Sequence, residues 1–138
     1  MAESIRKADY FAVAVANKRG EAGRLLEGLA AAGVNLLAFT GFPSGAGRAQ
    51  LDFVPEDTAA FQAAAERTKL KLRAPKTVFV IQGDDRPGTI ASVMKRLADA
   101  KINVTAIDAV GAGSGRYGAM LWVKPKDVDK ATAALGIR

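Results

Sequence analysis

The sequence predicts an α+β protein made of two tandem βαββαβ units, each an antiparallel sheet with its helices on one face. Three observations predict this. The 138 residues are 49% apolar and carry 20 basic against 14 acidic side chains, a composition that buries a core instead of staying disordered. At an offset of 68, residues 17 to 48 meet residues 85 to 116 without a gap, and nine of those 32 positions are identical, among them Gly20/Gly88, Leu29/Leu97, Asn35/Asn103 and Arg48/Arg116. The apolar pattern also changes period in the same order in both copies.

Each copy begins with a short run rich in β-branched or aromatic residues, Tyr10 to Ala16 and Val78 to Gln82, read as a strand. Apolar residues then fall at Ala22, Leu25, Leu26 and Leu29, and again at Ile90, Val93, Met94 and Leu97, the stripe of an amphipathic helix. Gly33 and Lys101 end those helices. Second strands follow at Val34 to Phe42 and Ile102 to Val110, then glycine-rich loops at Ser44 to Arg48 and Gly111 to Gly118. Third strands occupy Ala49 to Val54 and Ala119 to Lys124, and Asp57 and Asp127 are placed to cap the second helices. Those helices carry Phe61 with Ala64 or Ala65, and Val128, Ala131 and Leu135. Beyond the glycine-rich loop the offset becomes 70, aligning Pro55 and Asp57 with Pro125 and Asp127, which implies a hairpin two residues longer in the second copy.

A last strand is expected only in the first copy, where Leu70 and Leu72 alternate with Lys69, Lys71 and Arg73; the second copy lacks a clear one. The repeats are thus residues 8–73 and 76–138, both of the ferredoxin-like type. An unfinished second sheet leaves a position for another segment or a neighbouring chain to fill. The first strands are apolar on both faces, so the face away from the helices also needs cover. Both features favour a homodimer.

The composition excludes several chemistries. With no Cys and no His there is no disulfide framework, no thiolate or imidazole nucleophile, no zinc site of the Cys/His type and no histidine base. Asp84 and Asp85 are adjacent on a strand end and point to opposite sides, a poor carboxylate pair. No enzyme is expected, and no cofactor or metal. The start of the chain, with charges of both signs in Met1 to Lys7, shows no signal peptide, and a cytoplasmic protein is expected. The uncharged stretch Gly28 to Gly47 holds Asn35, Pro43 and five glycines, so it reads as helix end, strand and loop, not as a membrane span. The net charge of +6 divides as +2 over residues 1 to 73 and +4 over the remainder, with no basic block. It supports only a mild preference for anionic ligands.

The residues that could bind are at the turn Asp84-Asp85-Arg86-Pro87-Gly88-Thr89-Ile90. Pro87 preorganises the helix start and Gly88 leaves the first backbone N–H groups open to a ligand, which together with the helix dipole suits a carboxylate. The plainer reading is that Asp85 caps the helix, Pro-Gly makes the turn and Asn103 holds the next corner.

The pattern Asp85-Arg86-Pro87-Gly88, a helix with Val93, Leu97 and Ala98, then Ala100-Lys101-Ile102-Asn103-Val104, resembles the ACT domain, a small βαββαβ regulatory module that binds amino acids and related ligands. The resemblance covers essentially the whole chain as two copies. The first departs from it, because Asn17-Lys18-Arg19-Gly20 lacks the proline. What the resemblance implies is a ligand held where two ACT-like units meet, by the strand-to-helix loop of one and the opening of the second strand of the other. On this sequence that selects Asp85, Arg86, Pro87, Gly88, Thr89 and Ile90 with Asn103 and Val104. The first-copy set is Asn17, Arg19, Gly20, Glu21, Ala22, Asn35 and Leu36. Glu21 puts a carboxylate at that helix start, so unequal sites are expected, the second being better. The implied function is an amino acid-binding regulatory protein without a catalytic domain, acting on a partner enzyme of amino acid metabolism or on its own assembly. Two alternatives share the evidence. An RRM-like single-stranded RNA binder has the same element order, and Tyr117-Gly118 with Trp122 half-matches its stacking signature; a regulatory subunit could also act through protein contacts alone. Neither a membrane nor, in the main reading, a nucleic acid is an expected partner.

Overall fold

The computed structural model describes residues 3–137, which form six strands and four α-helices divided between two compact units. In the unit spanning Asp9–Lys76, β1 (Ser4–Ala16, from residue 9 onward) leads into α1 (Glu21–Ala31), then β2 (Leu36–Gly45), β3 (Arg48–Pro55) and α2 (Thr58–Arg67). β3 lies between β1 and β2, antiparallel to both, with Phe53 opposite Phe11 on one side and Phe39 on the other. Leu25 and Leu29 of α1 and Phe61 and Ala64 of α2 share one core with Phe11, Val13, Leu51 and Phe53, so both helices cover the same sheet face. Phe61 stands 5.0 Å from Phe11 and 5.5 Å from Phe53, ring centre to ring centre, within the range of favourable aromatic pairs. Asp57 caps α2 as expected, accepting from the Ala60 N–H at 3.0 Å.

The other unit contains β4 (Lys76–Asp84, from residue 77), α3 (Thr89–Asp99), β5 (Val104–Gly113), β6 (Arg116–Val123), a 3-10 turn at Pro125–Asp127 and α4 (Val128–Ala134), together with residues 3 to 8. Its sheet runs β1, β4, β6, β5. Phe79, Ile81, Val93, Leu97, Tyr117, Leu121 and Ala131 form the core, and Ile5 packs against it. The strand missing from the second copy is therefore supplied by the start of the chain. Arg96 and Glu3 join at 2.7 Å, tying that segment to α3. Residues 4 to 9 read as polar, Ser-Ile-Arg-Lys-Ala-Asp, which is why the first strand was expected only from Tyr10.

Three other expectations are corrected. Residues 70 to 75 are not a strand, although Leu70 and Leu72 do pack against the first unit's core. There α2 closes with Lys69 at positive φ and the Leu70 N–H on the Ala65 carbonyl at 2.8 Å, and Pro75 has no N–H to give a ladder. The hairpins have equal length: Gly45-Ala46-Gly47 and Gly113-Ser114-Gly115 make the same turn, and β3 and β6 are both eight residues long. The extra two residues lie after β6, in the 3-10 turn, so Asp127 is preceded by helical turn and its side chain makes no capping bond. Finally, β5 and β6 extend into the expected Gly111 to Gly118 loop, leaving only a tight turn, because Gly111 pairs with Tyr117 and Gly118 with Val110, both glycines outside the positive-φ region.

Candidate functional site

β4 ends at Asp84 and hands over to a turn that closes on Gly88, the N-cap of α3, held at φ 87°. That left-handed conformation suits glycine and aims the chain straight into the helix. Pro87 precedes the cap and is not the first helical residue, and Asp85 does not cap the helix; no side chain does. The Thr89 N–H reaches the Arg86 carbonyl at 3.3 Å and the Ser92 N–H the Gly88 carbonyl at 2.9 Å. The Ile90 and Ala91 N–H groups in between are the first-turn donors with no intrahelical acceptor. The Thr89 hydroxyl locks the turn instead, donating to the carbonyls of Arg86 at 2.9 Å and Asp84 at 3.2 Å.

A cleft of about 320 Å³ opens over this turn, bounded by Asp85, Arg86, Gly88, Thr89, Ile90 and Ala91 on one side and by Ala109, Val110, Gly111 and Tyr117 on the other. Asp85 is fixed by its N–H on the Gly115 carbonyl at 2.9 Å. Its carboxylate lies over Gly111, where an added Cβ would come within 3.1 Å of Oδ2. A second hollow on the other side of the turn is lined by Glu3, Asp84, Pro87 and Ser92 among others. Beside it Arg116 donates to Asp84 at 2.8 Å, and that bond holds the Asp84 carboxyl below the usual carboxylate range. Of the expected set, Asp85, Arg86, Pro87, Gly88, Thr89 and Ile90 thus come together. Asn103 and Val104 do not join them in this unit. Val104 pairs with Val123 at the far end of β5 from Gly111, which at about 3.3 Å per residue is some 23 Å away.

No protein-family model matches the chain, and no curated protein matches it. Solved structures do. A protein from Bacteroides thetaiotaomicron superposes with a TM-score of 0.80 at 20% identity, over 95% of this chain and 88% of that one. The ligand-free regulatory subunit of aspartate kinase from Thermus thermophilus gives 0.63 at 14% identity, over 96% and 93% of the two chains. This is the tandem ACT fold. Aspartokinase III from E. coli, solved with aspartate and ADP, matches over 97% of this chain and 32% of its own, with a TM-score of 0.57 at 16% identity.

In the first ACT-like copy the turn has the same backbone without the proline: Gly20 is a left-handed N-cap at φ 85° and the Asn17 N–H reaches the Gly47 carbonyl at 2.9 Å. Its side chains are otherwise engaged. Glu21 is held by Arg24 at 2.6 Å, and Asn35 donates to Glu56 at 2.9 Å. Ala22 and Leu36 pack against the core, leaving Arg19 exposed on the turn. The RNA-stacking signature has no surface to act from, since Tyr117 is 5% and Trp122 6% exposed. Among the described residues no helix is long and apolar enough to cross a membrane, and no group of acidic residues could hold a metal ion. The residue that sequence reasoning missed at the cleft is Tyr117, assigned there to stacking; only the β4–β6–β5 register reveals it beside Asp85.

Proposed function

We propose that this chain is a regulatory protein that binds an amino acid at the turn Asp85 to Ile90 and reports its level to a partner enzyme or through its own assembly. The observation that carries the reading is the cleft itself. It sets two uncapped helical N–H donors, from Ile90 and Ala91, and the cation of Arg86 on the same side as an acceptor, the Asp85 carboxylate. A ligand bearing both a carboxylate and an ammonium satisfies that set, because donors at a helix N-terminus favour the anion and a carboxylate the cation. The likeness to aspartate kinase regulatory subunits supports the regulatory part. Nothing in this reading requires catalysis, and it suits a cytoplasmic protein.

A homodimer fits the same proposal. Asn103 and Val104 lie too far along β5 to serve the turn of their own unit, so they would contribute only to a site completed by a neighbouring chain. β5 is an edge strand with Val110 66% exposed, and such an edge invites pairing. The test is thermal unfolding with each standard L-amino acid, for the unaltered protein and for Gly88→Val and Gly20→Val. A ligand specific for the native state must raise its apparent stability. One amino acid raising the Tm of the unaltered protein and of Gly20→Val, but not of Gly88→Val, is the expected outcome. No shift with any of them, or a shift that survives in Gly88→Val, contradicts the proposal.

A further inference from the structure

Positive charge is gathered on one short segment that follows α2. Arg67, Lys69, Lys71, Arg73 and Lys76 fall within ten residues, and no acidic residue follows Glu66 before Asp84. The segment thus holds five of the six surplus positive charges, a run that a count by halves divides after residue 73 and hides. All five residues are exposed, and among the described residues none of them makes an ion pair, whereas Arg24, Lys95, Arg96 and Arg116 each do. A solvated surface ordinarily intersperses the two signs, and a block of one sign ordinarily stays disordered because its charges repel. This block is pinned instead. Leu70 and Leu72 pack against the first unit's core, and the Leu70 N–H is held by the Ala65 carbonyl at 2.8 Å. Exposure alternates from Lys69 to Arg73, leucines inward and cations outward, which is the period of an extended run. Past Leu70, the backbone of residues 71 to 75 makes no hydrogen bond to another described residue. The segment therefore sets a row of unneutralised cations beside unclaimed main-chain donors and acceptors.

We infer that residues 69 to 73 are a docking strip for an extended acidic segment of a partner protein, laid alongside as an added strand with its carboxylates at alternate positions. Alternate side chains of an extended chain stand roughly 6.6 Å apart, in the strip and in its partner alike. Carboxylates at that spacing meet Lys69, Lys71 and Arg73 in turn, while the two main chains bond to each other. A single-stranded nucleic acid fits less well, because its bases need aromatic faces to stack on. The strip has none: no aromatic residue occurs between Phe61 and Phe79, and both of those are buried. The inference goes beyond the amino acid site and does not rest on it.

The experiment is fluorescence polarisation of the full chain with three labelled probes: a peptide alternating glutamate and threonine, a peptide of the same composition with its glutamates in one block, and an oligouridylate of equal charge. Two variants are compared with the unaltered protein at low and high salt. Lys69→Gln/Lys71→Gln/Arg73→Gln removes the strip, and Lys124→Gln/Lys126→Gln/Lys130→Gln removes the same net charge from exposed positions elsewhere. The alternating peptide should bind tightest and weaken on added salt. The strip variant should bind it roughly 10-fold more weakly, as loss of three exposed charge pairs implies, with the control variant little changed. The Tm of the strip variant should be unchanged or raised, since repulsion between like charges is removed. A lowered Tm overturns the inference, because the cations would then serve the fold. Equal loss in the two variants, equal binding of the two peptides, or no binding of any probe overturns it as well, and tighter binding of the oligouridylate overturns it in favour of a nucleic acid. None of these results bears on the thermal shifts expected with amino acids, so the two readings fail separately.

Discussion

Gly83 and Gly88 are five residues apart and are glycine for different reasons, which separates what sequence can tell from what it cannot. Gly88 is required by its backbone, at φ 87°, and a Cβ there would touch nothing. Gly88→Ala should therefore cost only the left-handed strain of about 1 to 2 kcal/mol. Gly83 is required by its neighbour, because a Cβ there would meet the Tyr117 ring at 2.7 Å. Gly83→Ala should destabilise by about 1 to 3 kcal/mol, as overpacking does, and combining it with Tyr117→Ala should recover part of that loss in denaturant unfolding. The first glycine was legible in Asp-Arg-Pro-Gly. The second was not, because its cause lies on another strand. Asp84 makes a titration prediction. Arg116 lowers its folded pKa, so the stability it contributes is present above the ordinary value near 4 and is lost as pH falls through the lowered one. Asp84→Asn should lower stability at neutral pH and flatten the acid limb below about pH 4, so that variant and unaltered protein converge in acid. An unchanged acid limb would show that the Asp84–Arg116 bond does not persist in solution.

At the scale of elements, the helices were the most legible parts. Leu25, Leu29, Val93 and Leu97 fall on one stripe each and are 8%, 2%, 0% and 0% exposed. Leu97→Ala should cost about 2 to 5 kcal/mol in denaturant unfolding, the range for an emptied core site. Strand ends were less legible, since β5 and β6 each run three residues farther into the glycine-rich hairpin than propensity suggests. Register, not propensity, decides there. The last strand was misread in the first copy, and the second copy's open position was expected without the segment that fills it, for one reason: alternation alone does not say which segment a sheet edge will take. Leu70 and Leu72 alternate well and form no strand, whereas the polar run from Ser4 does. Deleting residues 3 to 8 should then strip Ile5 from the second core and expose β4, lowering the Tm and raising the tendency to associate. Unaltered unfolding of the truncated chain would show that this segment does not complete the sheet.

For the whole molecule, the fold was readable because duplication shows every element twice, so Gly20 and Gly88, or Leu29 and Leu97, vouch for each other. Differences between copies then carry the functional information. Both helix starts lack a side-chain cap, but at the first Glu21 sets its own carboxylate, held by Arg24, whereas the second carries no acidic residue in its first turn and opens onto a cleft bounded by Asp85, Arg86 and Tyr117. The candidate site was legible in its turn residues and not in Tyr117, whose place depends on pairing between segments about 34 residues apart, or in the engagement of the first turn. The case for self-association has also changed. Val78, Val80, Met120 and Trp122, on the sheet face away from the second core, are already at most 8% exposed in the single chain, and the unfinished sheet is filled. What remains are the β2 and β5 edges, of which β5 carries the more exposed apolar side chain, Val110, so sedimentation should show a dimer that Val110→Lys weakens. A monomer at all concentrations, with and without amino acids, would remove the neighbouring chain from the site. The claim that the second turn is the ligand site is tested most directly by amide NMR of the labelled full chain titrated with the amino acid that stabilises it. The account predicts the largest shifts at Gly88, Ile90 and Ala91, with Gly20 and Ala22 nearly still; shifts concentrated at the first turn, or away from both, would contradict it.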